Sequence, residues 1–163
     1  MKSVLFITSF FLAAISAWGQ TKACEVDVRI KGVGTGTPYA TVIRKLGTPL
    51  EQKREAVPAS STCSGEAETY LTLKYSGLEI VCIGNAKGRK AIVNSIVITS
   101  SKWQIHPLIK IGFTKQELEA KLGKRGHYEN QALFYCTKDN LGTVKFVFEK
   151  NKLIKISLSE TLC

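Results

Sequence analysis

The chain writes one short pattern twice. "GTGTPYATVIRKLGTPLEQ" runs from Gly34 to Gln52, and "IKIGFTKQELEAKLGKRGHY" runs from Ile109 to Tyr128. Laying Gly47 on Gly123, an offset of 76 positions, also places Gly36 on Gly112, Val42 on Leu118, Lys45 on Lys121 and Leu46 on Leu122. Self-similarity at a fixed offset constrains a fold more than any single motif, because each copy is one supersecondary unit that must bury the same face. The residues after each Leu-Gly also agree in type: polar residues first, then alternating apolar and polar segments.

Each copy opens on a short amphipathic helix. In the second, Thr114 is a capping residue and Glu117 stands three positions on, the spacing of a capping box. Leu118 and Leu122 share a face at i, i+4, and Gly123 supplies the stop. In the first, Thr37 precedes Pro38 at the helix start, Val42 and Leu46 repeat the i, i+4 face, and Gly47 ends it. Helices this short do not persist alone in water, so they must lie on a sheet. The glycine-dense "GVGTG" from Gly32 to Gly36 lacks the Lys-Ser/Thr of a phosphate loop and reads as a flexible lead into the first helix.

The sheet is written in period-two alternation. "TYLTLKYSGLEIVCIG" is broken at Ser76-Gly77, a two-residue hairpin signal, and "KAIVNSIVITS" alternates again from Lys90. In the second copy "ALFYCTK" leads to a turn at Asp139–Gly142, and "TVKFVFEKNKLIKISLSE" turns tightly at Lys150-Asn151. Alternation places Leu71, Leu73, Tyr75, Leu78, Ile80 and Cys82 on a helix-covered face, continued by Ile92, Ile96 and Ile98. Val144, Phe146, Phe148, Ile154, Ile156 and Leu158 do the same in the second copy. The opposite face carries Tyr70, Thr72, Lys74, Glu79, Val81 and Ile83, then Lys145, Val147, Glu149, Lys155, Ser157 and Ser159. The expected fold is therefore α+β: two tandem repeats, each a short helical segment packed on its own antiparallel sheet of about four strands. The first repeat covers residues 20–106 and the second 107–163, joined near Trp103–Pro107.

Residues 1–19 read as a signal peptide. A basic start is followed by the apolar run Val4–Trp18, too short to span a bilayer, with Ala17 and Gly19 at the positions that precede cleavage before Gln20. A competing reading takes "TKAC" as a lipoprotein box with Cys24 as the lipidated residue. Exported cysteines usually pair, so Cys63, Cys82, Cys136 and Cys163 are the disulfide candidates, with connectivity open. With no Cys-x-x-Cys and two histidines, neither a metal site nor a cofactor is expected. Losing Lys2 with the leader takes the formal charge from +10 to +9, which favours an acidic partner. The lysines are scattered and not interleaved with aromatics, unlike a groove for single-stranded nucleic acid.

The string Gly112-x-Thr114-x-x-Glu117-Leu118-x-x-x-Leu122-Gly123 resembles the motif of the β-lactamase-inhibitor-protein-like superfamily, which includes small lipoproteins of the outer-membrane barrel-assembly machine. The first copy departs from it, with Pro38 where the second has Thr114 and Thr41 where the second has Glu117. The resemblance implies helices on antiparallel sheet in tandem and, by analogy, partner binding through a sheet face.

No catalytic string is present; His106 lies in the link and His127 just past the second helix, with nothing in their spacing to unite them as the acid and base of a basic secreted nuclease. The expected function is non-enzymatic: an exported protein engaging a protein or cell-envelope component, in one version as an inhibitor, through the free sheet face. The alternatives are a lipid-anchored outer-membrane assembly component and the nuclease. Candidate contacts are Tyr70, Lys74, Lys145, Val147 and Lys155, with Trp103 as an interface anchor or a core plug. Contact with a membrane is expected only if Cys24 carries lipid. Mass spectrometry of protein recovered after export should find a free or cyclised Gln20 at the N-terminus; a diacylated Cys24 would replace the signal-peptide reading with the lipoprotein one.

Overall fold

Alternating segments in both halves of the chain become strands of a single sheet. The computed structural model describes residues 25–62, 64–88, 90–124, 126–137 and 142–160. The leader 1–19, Cys24, Cys63 and Cys163 lie outside the described residues. After β1 (Glu25–Val26) come α1 (Tyr39–Leu46) and four strands: β2 (Glu51–Val57), β3 (Glu68–Tyr75), β4 (Leu78–Asn85) and β5 (Ile92–Ile98). A small hairpin, β6 (Gln104–Ile105) and β7 (Ile109–Lys110), leads to α2 (Lys115–Leu122). Four more strands follow: β8 (His127–Glu129), β9 (Ala132–Thr137), β10 (Gly142–Glu149) and β11 (Lys152–Glu160). The architecture is α+β with a mostly antiparallel sheet.

The expectation of one sheet per half is corrected. All the strands except β6 and β7 join one nine-stranded sheet in the order β1-β9-β10-β11-β5-β4-β3-β2, with β8 also paired to β9. The seam between halves is an antiparallel pairing of β5 with β11, in which Ile98 meets Ile156 and Ile96 meets Leu158. All four of these side chains are buried. A separate pair of sheets would have left two edges with unpaired N–H and C=O groups at this point, and pairing the two last strands removes both.

One face of the sheet carries the core. Leu73, Ile80, Val93, Ile96, Phe146, Leu153 and Ile156 are closed off from solvent by Val42 of α1, Leu118 of α2, Ile30 and Val33 of the N-terminal segment, and Trp103, Ile105 and Ile109 of the link. The helices are anchored by backbone bonds as well as by packing. Gly36 N donates to Val93 O at 2.8 Å and Val93 N to Thr37 O at 2.9 Å; at the second helix Gly112 N donates to Leu153 O at 2.8 Å and Leu153 N to Phe113 O at 2.7 Å. The Gly32–Gly36 stretch expected to be flexible is thereby pinned to β5. Each helix ends at a glycine in a positive-φ conformation (Gly47 at 85°, Gly123 at 83°), where a residue with a Cβ would be strained. A buried tyrosine then staples each end: Tyr75 Oη donates to Gly47 O at 3.0 Å, and Tyr135 Oη to Gly123 O at 2.6 Å.

The capping box at α2 forms as its sequence suggests. Glu117 N donates to Thr114 Oγ1 at 3.2 Å, and Thr114 N donates back to Glu117 Oε2 at 2.6 Å. The bonds from the Thr114 backbone and hydroxyl hold the Glu117 carboxyl below the usual glutamate range. Its contribution to stability is present above the ordinary glutamate pKa and is lost as pH falls through the lowered value. At α1, Pro38 provides no side-chain cap.

Two side chains assigned to the core face by alternation are turned out. Ile92 is 42% and Ile154 is 41% exposed, and Val93 and Leu153 take the inward positions. The cause is a register shift in each half, between Val81 and Cys82 against β5 and between Val147 and Phe148 against β11. Each inserts one extra residue, Asn94 or Ile154, and one residue of slip exchanges the faces beyond it. Both tight turns are two-residue hairpins: Tyr75 pairs Leu78 across Ser76-Gly77, and Glu149 pairs Lys152 across Lys150-Asn151. Lys150 and Asn151 both have positive φ (46° and 60°), matching the twist of the flanking strands.

Tyr75→Phe and Tyr135→Phe should each lower the urea midpoint at unchanged slope, a loss of roughly 1–2 kcal/mol in stability, because each leaves a carbonyl without its donor. The double variant should lose the sum, since β3 and β9 are five inter-strand spacings apart. An unchanged midpoint in either single variant would deny the staple any energetic role.

Candidate functional site

Opposite the core, the sheet face is uncovered among the described residues, and the strand register sets what it displays. One row across the strands reads Glu51, Lys74, Glu79, Val97, Ser157, Lys145, Phe134, His127. Beside it runs Lys53, Thr72, Val81, Ser95, Ser159, Thr143, Cys136. A third, shorter row is Glu55, Tyr70, Ile83, Ile92. The face thus has an apolar corner at Tyr70, Ile83 and Ile92, a band of hydroxyls through its middle, and lysines in the half built by β10 and β11.

Of the six expected contacts, five share this face. Tyr70, Thr72 and Lys74 are half-buried outward residues of β3, whereas Leu71, Leu73 and Tyr75 point to the core. Lys145, Val147 and Lys155 project from β10 and β11, and Val147 and Lys155 are cross-strand partners. They do not form one cluster: β3 and β10 are separated by four inter-strand spacings, roughly 19 Å at about 4.8 Å each. A shallow depression of about 380 Å³ does bring Lys74 and Lys155 to one rim with Glu79 and Val97.

The sixth contact is corrected. Trp103 is 6% exposed and belongs to the core. Its indole N–H donates to Ser76 O at 2.8 Å, and its ring meets that of Tyr75 edge-on with centroids 5.9 Å apart. A side chain held this way is a plug beneath the β3–β4 turn and cannot anchor a partner on the open face.

The lysines differ in their electrostatic state. Lys74 Nζ lies 3.1 Å from Glu51 Oε2, and Lys53 Nζ lies 3.2 Å from Glu55 Oε2. Both pairs are exposed and contribute little to stability. Lys145 and Lys155 form no ion pair among the described residues, and Lys145 Nζ stands 5.4 Å from the centre of the Phe134 ring. The sequence does not single out Phe134, because Ala132–Cys136 is apolar throughout and hides its parity; pairing with Lys145 is what places it on this face. The bulge in β5 turns Ile92 outward, next to Ile83, and so completes the apolar corner.

Of the disulfide candidates, Cys82 and Cys136 form no disulfide among the described residues; the first is buried in the core and the second exposed. Burial pushes the Cys82 thiol up to about 12, so it stays protonated and unreactive at neutral pH. His106 sits between β6 and β7, while His127 is paired with Phe134 on β8. His127 Nε2 lies 3.8 Å from Glu129 Oε2. No group of three or more His, Cys, Asp or Glu side chains converges among the described residues.

No protein-family model and no curated protein matches the chain. Among solved structures, the uncharacterized protein yfeY from Escherichia coli is similar, at 14% identity and a TM-score of 0.47, over 80% of this chain and 95% of that one.

Native protein treated with iodoacetamide near pH 8 should carry the label on the Cys136 peptide and not on the Cys82 peptide, which should react only after denaturation. Labelling of Cys82 under native conditions would contradict its place in the core.

Proposed function

We propose that the chain is an exported, non-enzymatic binding protein that engages an acidic protein partner through the uncovered sheet face. The observation that carries this reading is the breadth and make-up of that face. Candidate contacts spread over roughly 19 Å of nearly continuous sheet, the scale of a protein interface and not of a small-molecule pocket. It combines aromatic and apolar side chains with two lysines that no carboxylate neutralises among the described residues. A wet face on an antiparallel sheet is common, but such faces are usually polar outward, and Ile92, Ile83 and Val97 are not.

In the same proposal, the chain is two tandem copies of a helix followed by a four-strand meander, as the resemblance to the β-lactamase-inhibitor-protein-like superfamily implies, with the copies joined last strand to last strand in this chain. Support comes from features that recur in both halves: the glycine stops, the tyrosine staples, the paired backbone bonds at Val93 and Leu153, and a bulge after Val81 and after Val147. Signal-peptide export and an envelope or extracellular location complete the proposal. Lipid on Cys24 would change where the protein resides and would leave the binding face the same.

A photo-crosslinking residue at Val147 should capture a partner from envelope extract, while one at Lys121, exposed on α2, should not. Lys145→Glu with Lys155→Glu should abolish the Val147 product. Equal products from both positions, or a product untouched by the charge reversal, would remove the sheet face from consideration.

A further inference from the structure

A second site lies away from that face, where the N-terminal segment meets the link. A cleft of about 500 Å³ opens between residues 29–32 and 102–108. Its lining includes the apolar Ile30, Trp103 and Ile105 together with the cationic Arg29, Lys31 and Lys102, and it contains no Asp or Glu. Arg29 is already paired with Asp27 at 2.8 Å. Lys31 and Lys102 are not paired with any acid among the described residues; their ammonium groups stand 5.7 and 5.8 Å from the centre of the same Trp103 ring. Both ammonium groups are drawn to one indole, and an anion bound beside it would be attracted by both.

The backbone holds these groups in position. Lys31 and Gly32 form a two-residue turn at φ 49° and 74°, closed by reciprocal bonds of 2.8 Å between Ile30 and Val33, and Lys45 of α1 donates to Gly32 O at 3.1 Å. On the other wall His106 N donates to Arg29 O at 2.9 Å, tying the link to the N-terminal segment. Leu108, between β6 and β7, is 66% exposed at φ 59°, an unusual backbone conformation for a bulky side chain. A leucine held exposed in such a conformation occurs at ligand clamps as well as at turns.

We propose that this cleft binds an anionic amphiphile: a phosphate or carboxylate drawn to Lys31 and Lys102, with its hydrocarbon against the exposed Leu108. The volume falls in the range of small-ligand pockets, which favours a single molecule or headgroup over a protein surface. The chain has two tryptophans, Trp18 and Trp103, and the first lies in the proposed leader, so protein beginning at Gln20 reports the cleft by the emission of Trp103 alone. Titration with octyl phosphate below its micellar concentration should change that emission saturably. Inorganic phosphate and the uncharged octyl glucoside should each bind roughly tenfold or more weakly. Lys31→Glu with Lys102→Glu, both exposed and so compatible with folding, should weaken octyl phosphate by a similar factor, and Leu108→Ser should weaken octyl phosphate but not inorganic phosphate.

Co-sedimentation with vesicles of equimolar phosphatidylcholine and phosphatidic acid distinguishes the sources. Binding to these and not to pure phosphatidylcholine assigns the ligand to a lipid headgroup in a bilayer. Binding of octyl phosphate without sedimentation assigns it to a free amphiphile. Equal affinity for octyl glucoside, indifference to the double charge reversal, or no saturable response to any probe would overturn the proposal. None of these outcomes depends on the sheet face, whose own variants leave the cleft intact.

Discussion

The antiparallel pairing of β5 with β11 is the contact on which the rest of the structure depends. Each is the last strand of its half, and each would otherwise be an open edge. Ile96, Ile98, Ile156 and Leu158 meet there on the core side, so the backbone ladder and the apolar core close at the same place. Because the seam is internal, the sheet's exposed edges are moved to β2 on one side and to β8 and β1 on the other. β2 tolerates its position because it is charged: Glu51, Lys53, Arg54 and Glu55 leave a strand edge that discourages pairing with another chain.

A continuous sheet also decides where function can sit. Both helices, the N-terminal segment and the link are spent on one face, whose core they close. The opposite face is left with whatever the strand parity delivers, and it is broad because the halves are joined edge to edge. Tyrosine staples and glycine stops fix the helices at their ends, away from that face. The cleft at Trp103 arises differently. It forms where the link crosses the N-terminal segment, and its cations come from residues 29–31 and 102, widely separated in the chain.

Much of the local structure was legible. Thr114 with Glu117 specified a cap, Leu118 and Leu122 a buried face, Gly47 and Gly123 the stops, and Ser76-Gly77 and Lys150-Asn151 the turns. Period-two alternation sorted most strand residues to the correct side, including five of the proposed contacts. It failed at Ile92 and Ile154, where alternation cannot register an inserted residue. It was silent at β2, whose side chains are nearly all exposed and so follow no hydrophobic period. Phe134 was hidden within an unbroken apolar run, and Trp103 could not be divided between plug and anchor until its indole was seen to donate to Ser76 O.

The amino-acid order by itself determined the two helices, the alternating strands other than β2, and where the chain turns. These are set by interactions between near neighbours: caps, glycine conformations and i, i+2 or i, i+4 periodicity. Tertiary structure alone decided that the halves share one sheet, that Val93 and Leu153 displace Ile92 and Ile154 from the core, and that Lys31 and Lys102 converge on one indole. Those outcomes depend on strand partners and crossings far apart in sequence, and the free energy that selects them comes from burying both apolar faces at once, which no local window contains.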